Sequence, residues 1–194
     1  DHVKKGRDWR LKLFMRASGE KKAFLGLAAG ASPEVEPRVP VIDGAARFQE
    51  GTGYSIKKGL SYNNDMQAIV GRDVTAVVAF RAAEAYLNYI EACYEKNGNL
   101  DSDASNYWKA IRARAGVSED YNATIAATNM SIEGQNDWGA YSKNTLVDPT
   151  LYNIRRERRA ELMAEGLRYM DLIRWRAMDQ LNGFKIEGIK VWGP

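Results

Sequence analysis

The stretch from Leu151 to Trp175, LYNIRRERRAELMAEGLRYMDLIRW, constrains the fold more than any other part of the chain. It interleaves arginines and acids with Leu, Ile, Met and Trp, and it follows a helix start at Asp148-Pro149. Asp is a good N-cap, and Pro suits the first helical position, where no N–H is missed. From Leu151 and Ile154 one stripe continues through Arg158, Glu161, Leu162 and Glu165, so charged residues lie along the line that should face a partner helix. Arg158 and Glu161 are three apart and able to meet on the helix surface. A pair of Arg158 with Glu161, or with a carboxylate on an earlier helix such as Glu84, is the expected structural ion pair. Losing one member of such a pair, once buried, costs a few kcal/mol.

The bulk properties narrow the function classes. At 194 residues the length fits one domain, or one and a half, with a real core. Hydrophobic content of 45% and charged content of 27% are ordinary for a globular chain, and a net charge of +3 selects no partner. The single cysteine, Cys93, excludes an internal disulfide or a cysteine metal site. His2 is the only histidine and sits at the terminus, which leaves little for histidine catalysis or zinc; no metal and no cofactor is expected. No apolar run approaches the roughly 18 residues of a membrane span. The opening DHVKK carries no signal peptide and no initiator methionine, which leads to the expectation of a mature product or a fragment.

Three regions are expected. Residues 1–79 read as a loop-rich segment packed on helices, with short strands. Trp9, Leu11, Leu13 and Met15 alternate as in a strand, residues 18–21 read as a turn, and further strands are expected at 53–57 and 76–79. Residues 80–181 read as helical, and 182–194 as a tail. In the helical region Phe80, Ala83, Leu87, Ile90 and Tyr94 form one apolar face. Ala82, Ala85, Tyr86, Tyr89 and Cys93 form a second, as in a helix sandwiched between neighbours. Asn97-Gly98 ends that helix. A second helix follows, capped by Asp101 or Ser102, with Ala104, Trp108, Ile111 and Ala115 inward and Gly116 at its end. The pair is about one tetratricopeptide unit long, and one such unit needs stacked neighbours. The arginine-rich block is expected to supply them, as one helix to about Gly166 and another from Arg168 to Leu181. Residues 117–147 form a polar insertion, read either as a solvated connection or as a binding loop that presents aromatics.

FRAAEAYLNYIEA (80–92), NYWKAIRARAG (106–116) and IRRERRAELMAEGLRYMDLIRW (154–175) resemble, in order, the C-terminal half of the SusD/RagB family. GRDWRLKLF (6–14) is similar to the family's Asp-Pro-Arg segment, with Trp9 where Pro is usual, and TGYSIKKG (52–59) resembles its Gly-Tyr strand. The resemblance implies a mainly α, SusD-like scaffold of antiparallel helix pairs with long irregular loops. It also implies a surface lipoprotein of Bacteroidetes-type outer membranes that captures oligosaccharide or polysaccharide. Such a protein delivers its ligand to a SusC-like TonB-dependent transporter and catalyses nothing. The family's lipid-bearing cysteine has no counterpart here, so membrane attachment would run through an N-terminal lipid absent from this chain.

Sugar recognition suits aromatic faces and Asn, Asp and Arg hydrogen bonds in a wet, shallow site. Tyr62, Asn63, Asn64 and Asp65 offer these in one loop, and Asn136, Asp137, Trp138 and Tyr141 in another. Their choice rests on composition, because the family's motifs mark the scaffold. The alternative function is a generic helical-repeat module that binds a protein or peptide. An enzyme would need a nucleophile with a base, paired carboxylates or a metal set. Glu161 and Glu165 imitate a carboxylate pair, but the nearby arginines account for them as ion-pair partners. GTGYSIKKG fails the phosphate-loop spacing. The acids among the arginines oppose a phosphate backbone, so no nucleic acid is expected.

Overall fold

The computed structural model describes residues 4–17, 19–21, 55–59, 61–67, 71, 74, 76 and 78–185. It is mainly helical. The chain divides into two compact units, one of Asp1–Arg7, Leu11–Val77 and Ile186–Pro194, the other of Asp8–Arg10 and Val78–Lys185.

In the first unit, β1 (Met15–Arg16) pairs antiparallel with β2 (Ser55–Ile56), Met15 opposite Ile56 and Arg16 opposite Ser55. Buried Lys4 donates to the Lys12 carbonyl at 2.9 Å and to Glu20 at 2.5 Å, and Lys57 reaches the same Glu20 at 2.8 Å. Burial alone would raise the Glu20 carboxyl; the two lysines outweigh it and hold it below the usual range. A short helix, α2 (Asn64–Gln67), follows.

The alternation of Trp9, Leu11, Leu13 and Met15 does not make a strand. Trp9–Phe14 is a helical turn and a half, α1, and only Met15 enters the ladder. The partner strand is two residues long, so a longer strand would have no ladder to join. Trp9 and Leu13, four apart, share an exposed side of α1. Of the strand expected over 53–57, Ser55–Ile56 is formed, and residues 53 and 54 lie outside the described residues. Residues 76, 78 and 79 belong to no strand. Gly19 takes the left-handed turn conformation expected there, at φ +82°, while Ser18 lies outside the described residues.

The second unit is built on α3 (Ala82–Asn97) and α4 (Ser102–Arg114). Gly98 caps α3 in the left-handed conformation, its N–H on the Tyr94 carbonyl, and Asp101 caps α4 through the Ala104 N–H. Helix α7 (Pro149–Glu161) packs on α3 beside α4, so α3 is indeed covered on two sides. Leu87, Ile90, Cys93, Ala104, Trp108, Ile111, Ile154 and Leu162 form the core between them. Each fully buried Leu or Ile contributes about 1.5–3 kcal/mol. The inward positions expected on α4, Ala104 to Ala115, are all buried.

Two helix ends differ from expectation. Phe80 precedes α3 and is exposed, because Arg81 is extended at the N-cap while its guanidinium grips Glu161 and Glu165. Helix α7 stops at Glu161 instead of Gly166. Arg81 takes the Glu161 carbonyl at 2.8 Å, and Ala164 (φ +63°) and Gly166 (φ +78°) turn the chain. The last expected helix is likewise shorter. It comprises α8 (Arg168–Arg174) and a 3-10 turn at Met178–Leu181, interrupted where Arg176 adopts φ +54°.

Residues 117–147 are more ordered than their composition indicates. They form α5 (Tyr121–Ala126), α6 (Met130–Glu133), a 3-10 turn at Trp138–Ala140, and a hairpin of β3 (Tyr141–Ser142) with β4 (Thr145–Leu146). Side-chain caps explain the order. Asp120, Asn129 and Asp137 each accept a backbone N–H at the start of their turn. Tyr121 stacks on Trp108 with ring centres 4.4 Å apart, which fixes α5 to α4.

Candidate functional site

The charged stripe of α7 faces inward, as its spacing requires, but its pairing differs from expectation. Arg158 does not bond Glu161; its Nε lies 2.9 and 2.8 Å from the two Asp171 oxygens, and Nη1 donates to Asn88 at 2.7 Å. Glu84 makes no ion pair with a described residue. The i,i+3 contact loses because α8 brings Asp171 to the Arg158 Nε–H, which both carboxylate oxygens share. Glu161 is occupied by other arginines, accepting from Arg81 at 2.6 Å and from Arg114.

Glu157, Glu161 and Glu165, four apart on one side of α7 and its exit, thus form a ladder of carboxylates. Glu157 meets Arg10 at 2.5 Å, Arg112 at 3.2 Å and the Trp108 indole N–H at 3.1 Å. Glu165 takes Arg81 at 2.6 Å. Burial would raise the Glu161 carboxyl, but Arg81 and Arg114 outweigh it and hold it below the usual range. Burial opposes the Arg10 charge, and Glu157 more than restores it. A second cluster joins α8 to α3, where Arg174 forks onto Glu91 with two bonds of 2.6 Å and the Trp175 indole donates to the same carboxylate. Every carboxylate of these two clusters is paired with arginine, the arrangement of structural ion pairs.

An open cleft of about 560 Å³ lies in this unit where the end of α3 meets the start of α7. Tyr94, Glu95, Ser142, Asp148, Leu151 and Arg155 line it. The Tyr94 hydroxyl donates to Asp148 at 2.8 Å, while Asp148 also caps α7 through the Thr150 and Leu151 N–H groups. Burial first, then this bond, raises the Tyr94 hydroxyl. Arg155, beneath the cleft, donates from Nη1 to the Gly139 and Tyr141 carbonyls and from Nη2 to Ser142 Oγ at 3.1 Å. Its guanidinium stacks over Trp175 at 4.8 Å. Burial holds its pKa below the ordinary arginine value, against the pull of Glu91 and Glu95.

The loop residues singled out from sequence fall in separate units. Tyr62 and Asp65 are exposed at α2, where the Asn63 side chain accepts the Asp65 N–H; the side chain of Asn64 lies outside the described residues. In the other loop only Asn136 is exposed. Asp137 is buried, caps the 3-10 turn and pairs with Arg159 and Arg168, each at 2.8 Å. Trp138 packs against the cluster of Leu172, Trp175 and Ala177 and meets the Phe184 ring edge-on at 4.7 Å. Tyr141 is half-buried, its carbonyl taken by Arg155. The cleft residues were not singled out for binding. Their local signals, Asn97-Gly98 and Asp148-Pro149, mark helix ends, and only packing brings those ends together.

Among the described residues no cluster of His, Cys, Asp or Glu could hold a metal ion, and no helix is long and apolar enough to cross a membrane. The family model described as SusD family matches residues 35–191. This chain belongs to the SusD family. No curated protein and no solved structure matches it. SusD-family members are nutrient-binding proteins associated with transport at the outer membrane, binding proteins rather than enzymes. The match covers the whole helical region, including the carboxylate ladder, and reaches back to residue 35.

Proposed function

We propose that this chain holds an oligosaccharide or polysaccharide at the outer cell surface and passes it to a SusC-like TonB-dependent transporter, without chemical change. The observation that carries the reading is the SusD-family match over residues 35–191. The protein is a lipoprotein in this reading, held at the outer membrane by a lipid anchor. Tyr62 and Asp65, with Asn63 and Asn64 in the same turn, and exposed Asn136 are proposed ligand contacts. Within the second unit, Asp137, Trp138 and Tyr141 support the turn that carries Asn136. Calorimetry against a panel of oligosaccharides, with product analysis of the same mixtures, tests the reading. Binding with no released product supports it; release of product at enzymatic rates would sink it.

One observation favours a protein-binding module as a second reading. Helix α8 exposes Tyr169, Met170 and Ile173 together, and apolar side chains grouped on one surface are characteristic of protein contacts. Co-purification with the transporter separates the two. A full-length protein that binds no glycan and does not associate with the transporter would leave the generic helical-repeat reading in its place.

A further inference from the structure

The wholly and partly buried arginines of the second unit follow one pattern, and Arg155 departs from it. Arg10, Arg81, Arg112 and Arg158 each have a carboxylate oxygen between 2.5 and 3.2 Å away. Arg155 is more deeply buried than any of them, with its side chain only 3% exposed, yet its nearest carboxylate, Glu95, stands 3.7 Å off and is itself half-exposed. Its Nε, wholly buried, has no hydrogen-bond partner. A guanidinium carries five N–H donors. Two of the Arg155 donors go to backbone carbonyls and one to Ser142, so the charge is held in place by neutral oxygens. Both Arg155 and Glu95 line the open cleft.

We infer that this cleft is a subsite for an uncharged, hydroxyl-rich ligand, a neutral pyranose unit, held between Arg155 and Glu95. The inference rests on the glycan-binding reading and names the class of sugar for it. A charge-assisted N–H···O bond is about 2.7–2.9 Å long, so a 3.7 Å separation leaves both partners short of a close contact. A ligand hydroxyl satisfies both at once, its oxygen accepting from Nη2 and its proton going to the carboxylate, while the half-exposed Glu95 side chain swings to admit it. Ser142 adds a second polar contact. Its oxygen already accepts from Arg155, so its own proton points elsewhere and is available to donate. Leu151 and the Tyr94 ring give an apolar wall on which the C–H face of a sugar ring lies.

Charge decides between neutral and acidic sugars. The cleft holds two carboxylates, Glu95 and Asp148, against one guanidinium, and Asp148 is fixed in place by the helix cap. A uronate or sulfate would meet net repulsion, whereas hydroxyl protons are drawn to these oxygens.

The test uses the full chain, with maltoheptaose, cellohexaose, xylohexaose and mannohexaose as neutral probes and polygalacturonate as the acidic one. At least one neutral probe should bind, and more tightly than polygalacturonate. Glu95→Gln should weaken that binding about tenfold or more at an unchanged melting temperature. Ser142→Ala should weaken it as much in assays well below its own melting temperature, which falls because a buried Arg155 N–H loses its acceptor. Neutral-probe binding that both variants retain at full strength overturns the subsite and leaves the glycan reading standing. Tighter binding of polygalacturonate overturns the neutral assignment. Failure of the unaltered chain to bind any probe removes the glycan reading and the subsite together.

Discussion

Arg158 Nε lies between the two carboxylate oxygens of Asp171, at 2.9 and 2.8 Å, and bypasses Glu161 on its own helix. Both side chains are about one-twentieth exposed, so the pair belongs to the interior of the helical unit. Arg158→Ala would leave Asp171 buried with only Arg174 as a charged partner. The expected loss in stability is about 3 kcal/mol or more. Urea denaturation measures it; a loss under about 0.5 kcal/mol would be that of a surface pair and would contradict the burial.

Acid should weaken the fold partly through Glu161. Its carboxyl is held below the ordinary glutamate value of 4.5, so the folded state binds its proton less readily than the unfolded chain does. The stabilisation is complete above the unfolded value and is lost as pH falls through the folded one. Glu20, also held low, adds to the same acid limb. In Glu161→Gln the stability curve between about pH 5 and pH 2 should be flatter than in the unaltered chain. Parallel curves would mean that Arg81 and Arg114 do not hold the carboxylate in solution.

Gly116 tolerates no side chain. It adopts φ +68°, and a Cβ would fall 2.0 Å from Cδ1 of Trp9. Gly116→Ala should cost about 1–2 kcal/mol in backbone strain, with the ring clash added. In a Trp9→Ala background the clash disappears and the backbone part remains. Thermal melts of the single and double variants separate the two, and equal penalties in both backgrounds would show that the ring moves aside without cost.

Trp138 is expected to report on stability rather than on ligand. It covers Leu172 and Trp175, so Trp138→Ala should lower stability by about 2–3 kcal/mol while oligosaccharide affinity at low temperature holds. Lost affinity at unchanged stability would make it a ligand contact after all.

The helical unit was legible wherever a local signal decided the structure. Asp101, Asp148 and Gly98 cap their helices as the sequence indicates. The marked positions of α4 and Ala83, Leu87, Ile90 and Cys93 of α3 are buried, whereas Phe80, Ala82 and Tyr89 are exposed. The charged stripe of α7 was also legible as buried. Its partners were not, because Arg10, Arg81 and Asp171 reach it from distant points of the chain, and neighbours in sequence are only one choice among several carboxylates. Over Trp9–Phe14 a run of six residues fits both periods, and the absent partner strand settled the matter. Asp137 looked like a loop ligand for the same reason that it makes a good cap: a short acidic side chain among turn residues serves either purpose. The cleft left no trace in the sequence, since the isolation of Arg155 depends on what the fold fails to place beside it.

Glu91 imposes an order of events on biosynthesis. Its carboxylate is buried, and the side chains that satisfy it, Arg174 and Trp175, lie more than eighty residues further along the chain. Until those residues have been made the Glu91 carboxylate must stay in water, and the side of α3 that carries it cannot be buried without an unpaired charge. That side of α3 is therefore covered only when α8 and Trp175 have been added. Chains released before Trp175 should be cleared by proteases, and the helical unit should accumulate whole or not at all.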